Sequence, residues 1–121
     1  MKRGDIFTVS TRGVAAKPRP AIILMADEFL RSDRPIIVCP LTSEVVDARI
    51  GRIRIEPSAE NGLHVVSEAM LERLGAALPN ELGRRVGQLG KDDLDRLNIA
   101  VINILGLAPT AAIVSAIGKL S

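Results

Sequence analysis

The sequence predicts a mainly β, α+β fold: a small sheet or barrel closed by a C-terminal helix. Three observations predict it. Five or six short runs rich in β-branched residues come first, two of them opened by an Arg-Pro pair, and one long amphipathic pattern comes last. At 121 residues the chain suits one domain with one core, and its 47% hydrophobic and 25% charged residues are ordinary for a globular protein.

"GDIFTVS" (4–10) alternates as a first strand, and "RPAIILM" (19–25) and "RPIIVCPL" (34–41) follow as the second and third. Proline is tolerated at a strand's first residue, so the Arg-Pro pairs mark strand starts. "RIGRIRIEP" (49–57) alternates with Ile53 and Ile55 on one face and Arg52 and Arg54 on the other, which predicts a strand with a core side and a basic side. Asn61-Gly62 then signals a turn, since both residues tolerate positive φ. A strand over 64–72 followed by an irregular stretch, and a short strand over 84–89, complete the β part.

Residues 91–107 are the clearest helix. Leu94, Leu97, Val101 and Ile104 recur at helical spacing, Asp92 and Asp93 suit the first turn, and Gly106 with Pro109 supplies a stop. The short apolar "TAAIVSAIGKLS" at the end is expected to pack on the domain or on a second subunit, being too short to span a membrane. The N-terminus lacks the apolar run of a signal peptide, so a soluble, cytoplasmic protein is expected.

Several chemistries are poorly supported. The one cysteine, Cys39, lies in an apolar run and the one histidine, His64, reads as a surface strand residue, which disfavours Cys/His and Ser/His/Asp catalysis. No carboxylates cluster at metal-ligand spacing and no Gly-rich phosphate loop occurs, so no metal or cofactor is expected. With no Trp or Tyr and only two Phe, base-stacking platforms are nearly absent. Arginine and hydroxyl chemistry remains. Residues 1–54 carry ten Lys/Arg against six Asp/Glu, a balance that could face phosphates. Arg19 sits between Pro18 and Pro20, whose rings restrict the local backbone, and its planar fork suits two phosphate oxygens. Thr42 and Ser43 follow the third strand, where hydroxyls can donate to a phosphate or bond the turn.

Taken together, "KRGDIFTV", "RPAIIL", "CPLTS", "IRIEPSAENGL", "MLERL", "GRRVGQL" and "DDLDRLNIAVINILGL" resemble, in order, the MazF/PemK toxins of bacterial toxin–antitoxin pairs. The resemblance implies an SH3-like, strongly curved antiparallel sheet with a C-terminal helix over residues 1–107, leaving 108–121 as a short apolar extension. It implies a homodimer that cuts single-stranded RNA without a metal, inhibits translation and growth, and is restrained by a cognate antitoxin with an acidic tail. The ribose 2′-hydroxyl is the nucleophile in such cleavage, so the protein orients the phosphate and neutralises developing charge.

Carried over by position, the family's catalytic arginine falls on Arg19 and its strand-end threonine on Thr42. Glu72 stands where some branches carry a catalytic aspartate; its bland alternative is a surface carboxylate paired with Arg73. Lys17, Ser43, Arg52, Arg54 and Arg73 are the expected RNA contacts. Two alternatives stand beside this reading: a CcdB-like, non-enzymatic poison of DNA gyrase, against which the absence of Trp and the ending "IGKLS" argue, and a catalytically lapsed member that only binds antitoxin or RNA.

Overall fold

The computed structural model describes residues 1–10, 17–47 and 51–108. Residues 11–16, 48–50, Pro109 and the terminal stretch "TAAIVSAIGKLS" lie outside the described residues. Among the described residues seven strands, β1 (Asp5–Val9), β2 (Arg19–Ile23), β3 (Ile36–Thr42), β4 (Arg52–Ile55), β5 (Ser67–Met70), β6 (Gly75–Ala77) and β7 (Leu82–Gln88), precede one α-helix, α1 (Lys91–Ile104). Every pairing is antiparallel, in the order β4-β5-β3-β2-β1-β7, with β6 beside β3 off this path. The sheet is open, not a closed barrel, and α1 packs against the terminal strand β4.

The register sorts the strands into two faces. Ile6 opposes Ile22 and Ile22 opposes Cys39, while Leu41 opposes Ala69 and Ala69 opposes Ile53. These residues, with Ile55, Leu71 and Leu97, make the main core, against which Leu94 and Val101 of α1 pack. Three members of the helical stripe read from the sequence, Leu94, Leu97 and Val101, therefore face the core, whereas the fourth, Ile104, is exposed. Truncating fully buried Leu97 to alanine would cost about 2–5 kcal/mol. The opposite face carries a smaller cluster of Ala21, Ile23, Ile36, Val38 and Ala77.

β3 changes partners along one edge. Ile36–Val38 pair with β6 and Leu41–Thr42 with β5, so Pro40 falls where neither strand is registered opposite it. That gap accommodates a proline inside a central strand, although strand starts are its usual place.

Four sequence expectations are corrected by packing. The strand expected over 64–72 occupies only Ser67–Met70, and Leu71–Arg73 form a 3₁₀ turn, with Leu71 N–H donating to the Gly51 carbonyl and Leu74 N–H to that of Leu71. His64 accordingly lies exposed in a bend before β5, not on a strand. The stretch after that turn, expected to be irregular, contains β6, whose Gly-Ala-Ala has no β-branched signature and is a strand only because Ile36–Val38 offers it an edge. β7 starts two residues before the expected 84.

Two glycines are required where the chain turns. At Gly62 φ is +70°, and any Cβ would collide with the Val86 carbonyl of β7. The adjoining Asn61 is buried, its Oδ1 accepting from Ser58 N–H (2.9 Å) and Leu63 N–H (2.9 Å) and its Nδ2 donating to the Glu56 carbonyl (2.8 Å). The Asn-Gly signal thus marks an anchor against β7. Gly106, at φ +67°, ends α1: Gly106 N–H reaches the Asn103 carbonyl (3.1 Å) and Leu107 N–H that of Ile102 (3.0 Å), capping the last turn three residues earlier than the expected 107.

Candidate active site

The face away from α1 is organised in rungs that cross the sheet. Val9 opposes Arg19, Thr42 opposes Glu68, and Glu68 opposes Arg54. Between β2 and β3, Ala21 opposes Pro40, and continuing that register by two residues sets Arg19 across from Thr42. One rung therefore reads Val9, Arg19, Thr42, Glu68, Arg54, and side chains at such positions point to the same face. The next rung carries Phe7, Ala21 and Pro40 together with the Met70–Arg52 pair.

A groove of about 640 Å³ lies over these rungs, with Arg19, Thr42, Lys17, Arg52 and Arg73 among its lining residues. Val9, Ala21, Val38 and Met70 supply apolar lining, and Glu44 and Glu81 are its carboxylates. Glu81 is already engaged, accepting a 2.7 Å hydrogen bond from Leu78 N–H. Thr42 is nearly buried, and its Oγ1 accepts from Glu44 N–H at 3.1 Å, which leaves the hydroxyl hydrogen for another acceptor.

The cations in the groove differ in their surroundings. Lys17 and Arg19 are exposed, and neither makes an ion pair among the described residues. The Arg52 side chain is only 15% exposed and sits between two carboxylates: Nη1 donates to Glu68 Oε1 (3.1 Å) and Nε to Glu72 Oε1 (3.1 Å). Glu68 above all, together with Glu72, holds Arg52 protonated beyond arginine's ordinary range, against the opposing pull of burial. The Glu68 carboxyl is itself held below the usual carboxylate range, first by the Val46 N–H bond and then by Arg52 and Asp47 N–H, which outweigh desolvation.

The groove thus gathers Lys17, Arg19, Thr42, Arg52 and Arg73, and omits Ser43, Arg54 and Glu72. Arg54 is about half exposed and pairs with Glu56 (3.2 Å) and Asp47 (3.7 Å). Glu72 pairs with Arg52, not with its neighbour Arg73. A second cavity, about 570 Å³ between β4 and α1, is also bordered by Arg52, which therefore stands as a partition between the two. Cys39 faces the core side, and burial pushes its thiol up to about 12, so it is no thiolate near neutral pH. Among the described residues, no three His, Cys, Asp or Glu side chains gather as metal ligands would. No helix among them is long and apolar enough to cross a membrane.

Sequence reasoning missed Glu68, the buried carboxylate at the middle of this face. The signal was present: pairing "RIRI" with "SEAM" as neighbouring strands puts Glu68 on the same face as Arg52 and Arg54. Glu44 and Glu81 carry no comparable pattern.

Over residues 2–105 the chain matches the family model of PemK-like, MazF-like toxins of type II toxin–antitoxin systems. It is 38% identical over 109 residues to the probable endoribonuclease MazF of Mycolicibacterium smegmatis, spanning 89% of this chain and 99% of that protein. In structure it is similar to the Mycobacterium tuberculosis toxin MazF-mt6, with a TM-score of 0.70 at 23% identity over 87% of this chain and 99% of that one. It is also similar to an endoribonuclease in complex with its cognate antitoxin from mycobacterial species, with a TM-score of 0.70 at 16% identity over 90% and 96% of the two chains. At those identities the structural matches speak for the fold alone.

Proposed function

This chain belongs to the PemK-like, MazF-like toxins of type II toxin–antitoxin systems, and we propose that it cuts single-stranded RNA in the groove over β2 and β3. The identity to a probable endoribonuclease favours this reading over a gyrase poison. The observation that carries it to these residues is the convergence of Arg19 and Thr42, on neighbouring strands, on one groove from positions 23 residues apart in the chain.

In the proposed reaction the ribose 2′-oxygen bonds to the adjacent phosphorus as the bond to the 5′-oxygen breaks. The 2′-proton leaves, the 5′-oxygen gains a proton, and the products are a cyclic phosphate and a 5′-hydroxyl. The Arg19 fork neutralises charge growing on the phosphate oxygens, and its proline mount leaves little freedom to lose on binding. Thr42 donates its hydroxyl hydrogen to the same phosphate, while its Oγ1 accepts from Glu44 N–H. Lys17 and Arg73 steer the backbone into the groove. Glu72 acts at one remove, by fixing Arg52.

The reading extends to a homodimer in the cytoplasm, with residues 1–107 as the toxin domain and 108–121 as an extension. Lys17, Arg19 and Arg73 would also draw in the acidic tail of an antitoxin. Incubating the protein with a long single-stranded transcript in EDTA tests the enzymatic core of the proposal. Fragments with 5′-hydroxyl ends that disappear with Arg19→Ala are expected. Intact RNA with the wild-type protein would overturn the reading, and trapped gyrase–DNA complexes would replace it.

A further inference from the structure

Glu68 is 2% exposed, yet it lies on the groove face, directly across from Thr42. A buried carboxylate is costly unless it is hydrogen-bonded and paired, and here both oxygens are occupied. Oε1 accepts from Val46 N–H at 3.0 Å and from Arg52 Nη1 at 3.1 Å, and Oε2 accepts from Asp47 N–H at 3.1 Å. These partners come from two elements, the segment following Thr42 and the start of β4, which are otherwise joined among the described residues by the exposed Arg54–Asp47 pair at 3.7 Å.

That segment forms a wall of the groove. Val46, 60% exposed, and Glu44 both line it, yet the segment has no strand partner there. Its described anchors are Glu44 N–H on Thr42 Oγ1 at one end, a Val45 N–H bond to the Ser43 carbonyl, and, at the other end, the Glu68 carboxylate and the exposed Asp47–Arg54 pair at 3.7 Å. Removing Glu68 would leave the far end of the wall with only the exposed Asp47–Arg54 pair, a weak tie, and would take away one of the two carboxylates that orient Arg52.

We propose that Glu68 is a positioning residue for substrate recognition: one buried carboxylate fixes the 43–47 wall and the Arg52 guanidinium as the surface against which nucleotides flanking the scissile phosphate are read. It touches neither the phosphate nor the 2′-hydroxyl. Thr42 is held independently by β3 and its own β-branch, so the bond-making step does not depend on Glu68. The recognition half rests on the ribonuclease reading above; the positioning half does not.

The first test therefore uses the free protein. Amide hydrogen exchange at Val46 and Asp47 is compared in wild type, Glu68→Ala and the isosteric Glu68→Gln, which guards against a variant that fails to fold. Exchange at least about tenfold faster in Glu68→Ala, with core amides of β3 unchanged, is expected. Equal exchange would overturn the positioning claim. The second test measures cleavage of a defined RNA. Glu68→Gln should raise KM by about tenfold with kcat within about threefold, and should cut a transcript at additional sites. A fall in kcat with KM and site preference unchanged is what a merely structural role gives, through a smaller active fraction, and would overturn the recognition claim. If the wild-type protein cuts no RNA, the ribonuclease reading fails while the exchange result still decides what Glu68 holds.

Discussion

The two walls of the groove immobilise an arginine in opposite ways. On the β2 wall, Arg19 is braced by covalent geometry, with a proline on each side, and makes no ion pair among the described residues. On the β4–β5 wall, Arg52 is braced by Glu68 and Glu72. Proline restricts the backbone and leaves the cation's charge whole, whereas two carboxylates orient a guanidinium and cancel its charge. The first kind of support suits a group that must meet a charged phosphate. The second suits a group that contributes shape and directed N–H donors.

Four measurements break or sharpen this contrast. Arg19→Ala should lower kcat by about 10²–10³, the cost of removing one charge-stabilising donor, with the melting temperature unchanged. Arg52→Met should act mainly on KM, by about tenfold or less. An equal loss of kcat in both would erase the distinction between the walls.

Acid should loosen only the β4–β5 wall. Because hydrogen bonds from Val46 N–H and Arg52 depress the Glu68 pKa in the folded state, its contribution is present above the unfolded-state value. It is lost as pH falls through the lower folded value. Val46 and Asp47 amides should thus keep their protection through the range in which an ordinary glutamate protonates, about pH 4.3, and lose it only at lower pH. The charges facing Glu68 are Arg52 and Arg54, with Glu72 beyond Arg52 and Asp47 beyond Arg54, while the bonds from Val46 N–H, Arg52 and Asp47 N–H keep the shift downward against desolvation. Loss of protection beginning near pH 6 would contradict it.

Loosening the other wall needs a backbone change. Pro18→Ala should weaken RNA binding by about two- to fivefold, matching the 0.4–1 kcal/mol by which a compatible proline lowers chain entropy. Smallest of all, Lys17→Ala should flatten the slope of log affinity against log salt by about 0.7, the single-strand value for one phosphate contact. Arg52→Met should leave that slope unchanged, because its charge is compensated before RNA arrives.

Much of this site is legible without coordinates. The prolines around Arg19, the alternation that sends Arg52 and Arg54 away from Ile53 and Ile55, and the stripe of Leu94, Leu97 and Val101 are local patterns. Local patterns report which face a side chain takes. Arg54 shows the limit: it shares the face of Arg52, yet its pairs with Glu56 and Asp47 keep it off the groove lining. Glu72 shows it again, since its neighbour in sequence is Arg73 but its partner, twenty residues away, is Arg52.

By itself the sequence determined that strands precede the helix, the sidedness of the Arg52–Ile55 strand, the family, and the two residues proposed to meet the phosphate. Periodicity and proline chemistry act within a few residues of chain. Only the tertiary structure decided the open sheet, the strand made of Gly75–Ala77, the rung that sets Arg19 across from Thr42, and the burial of Glu68 beneath the 43–47 wall. Each of those depends on which strand becomes whose neighbour, and register between distant segments is settled by the burial of the whole sheet face, not by any one segment.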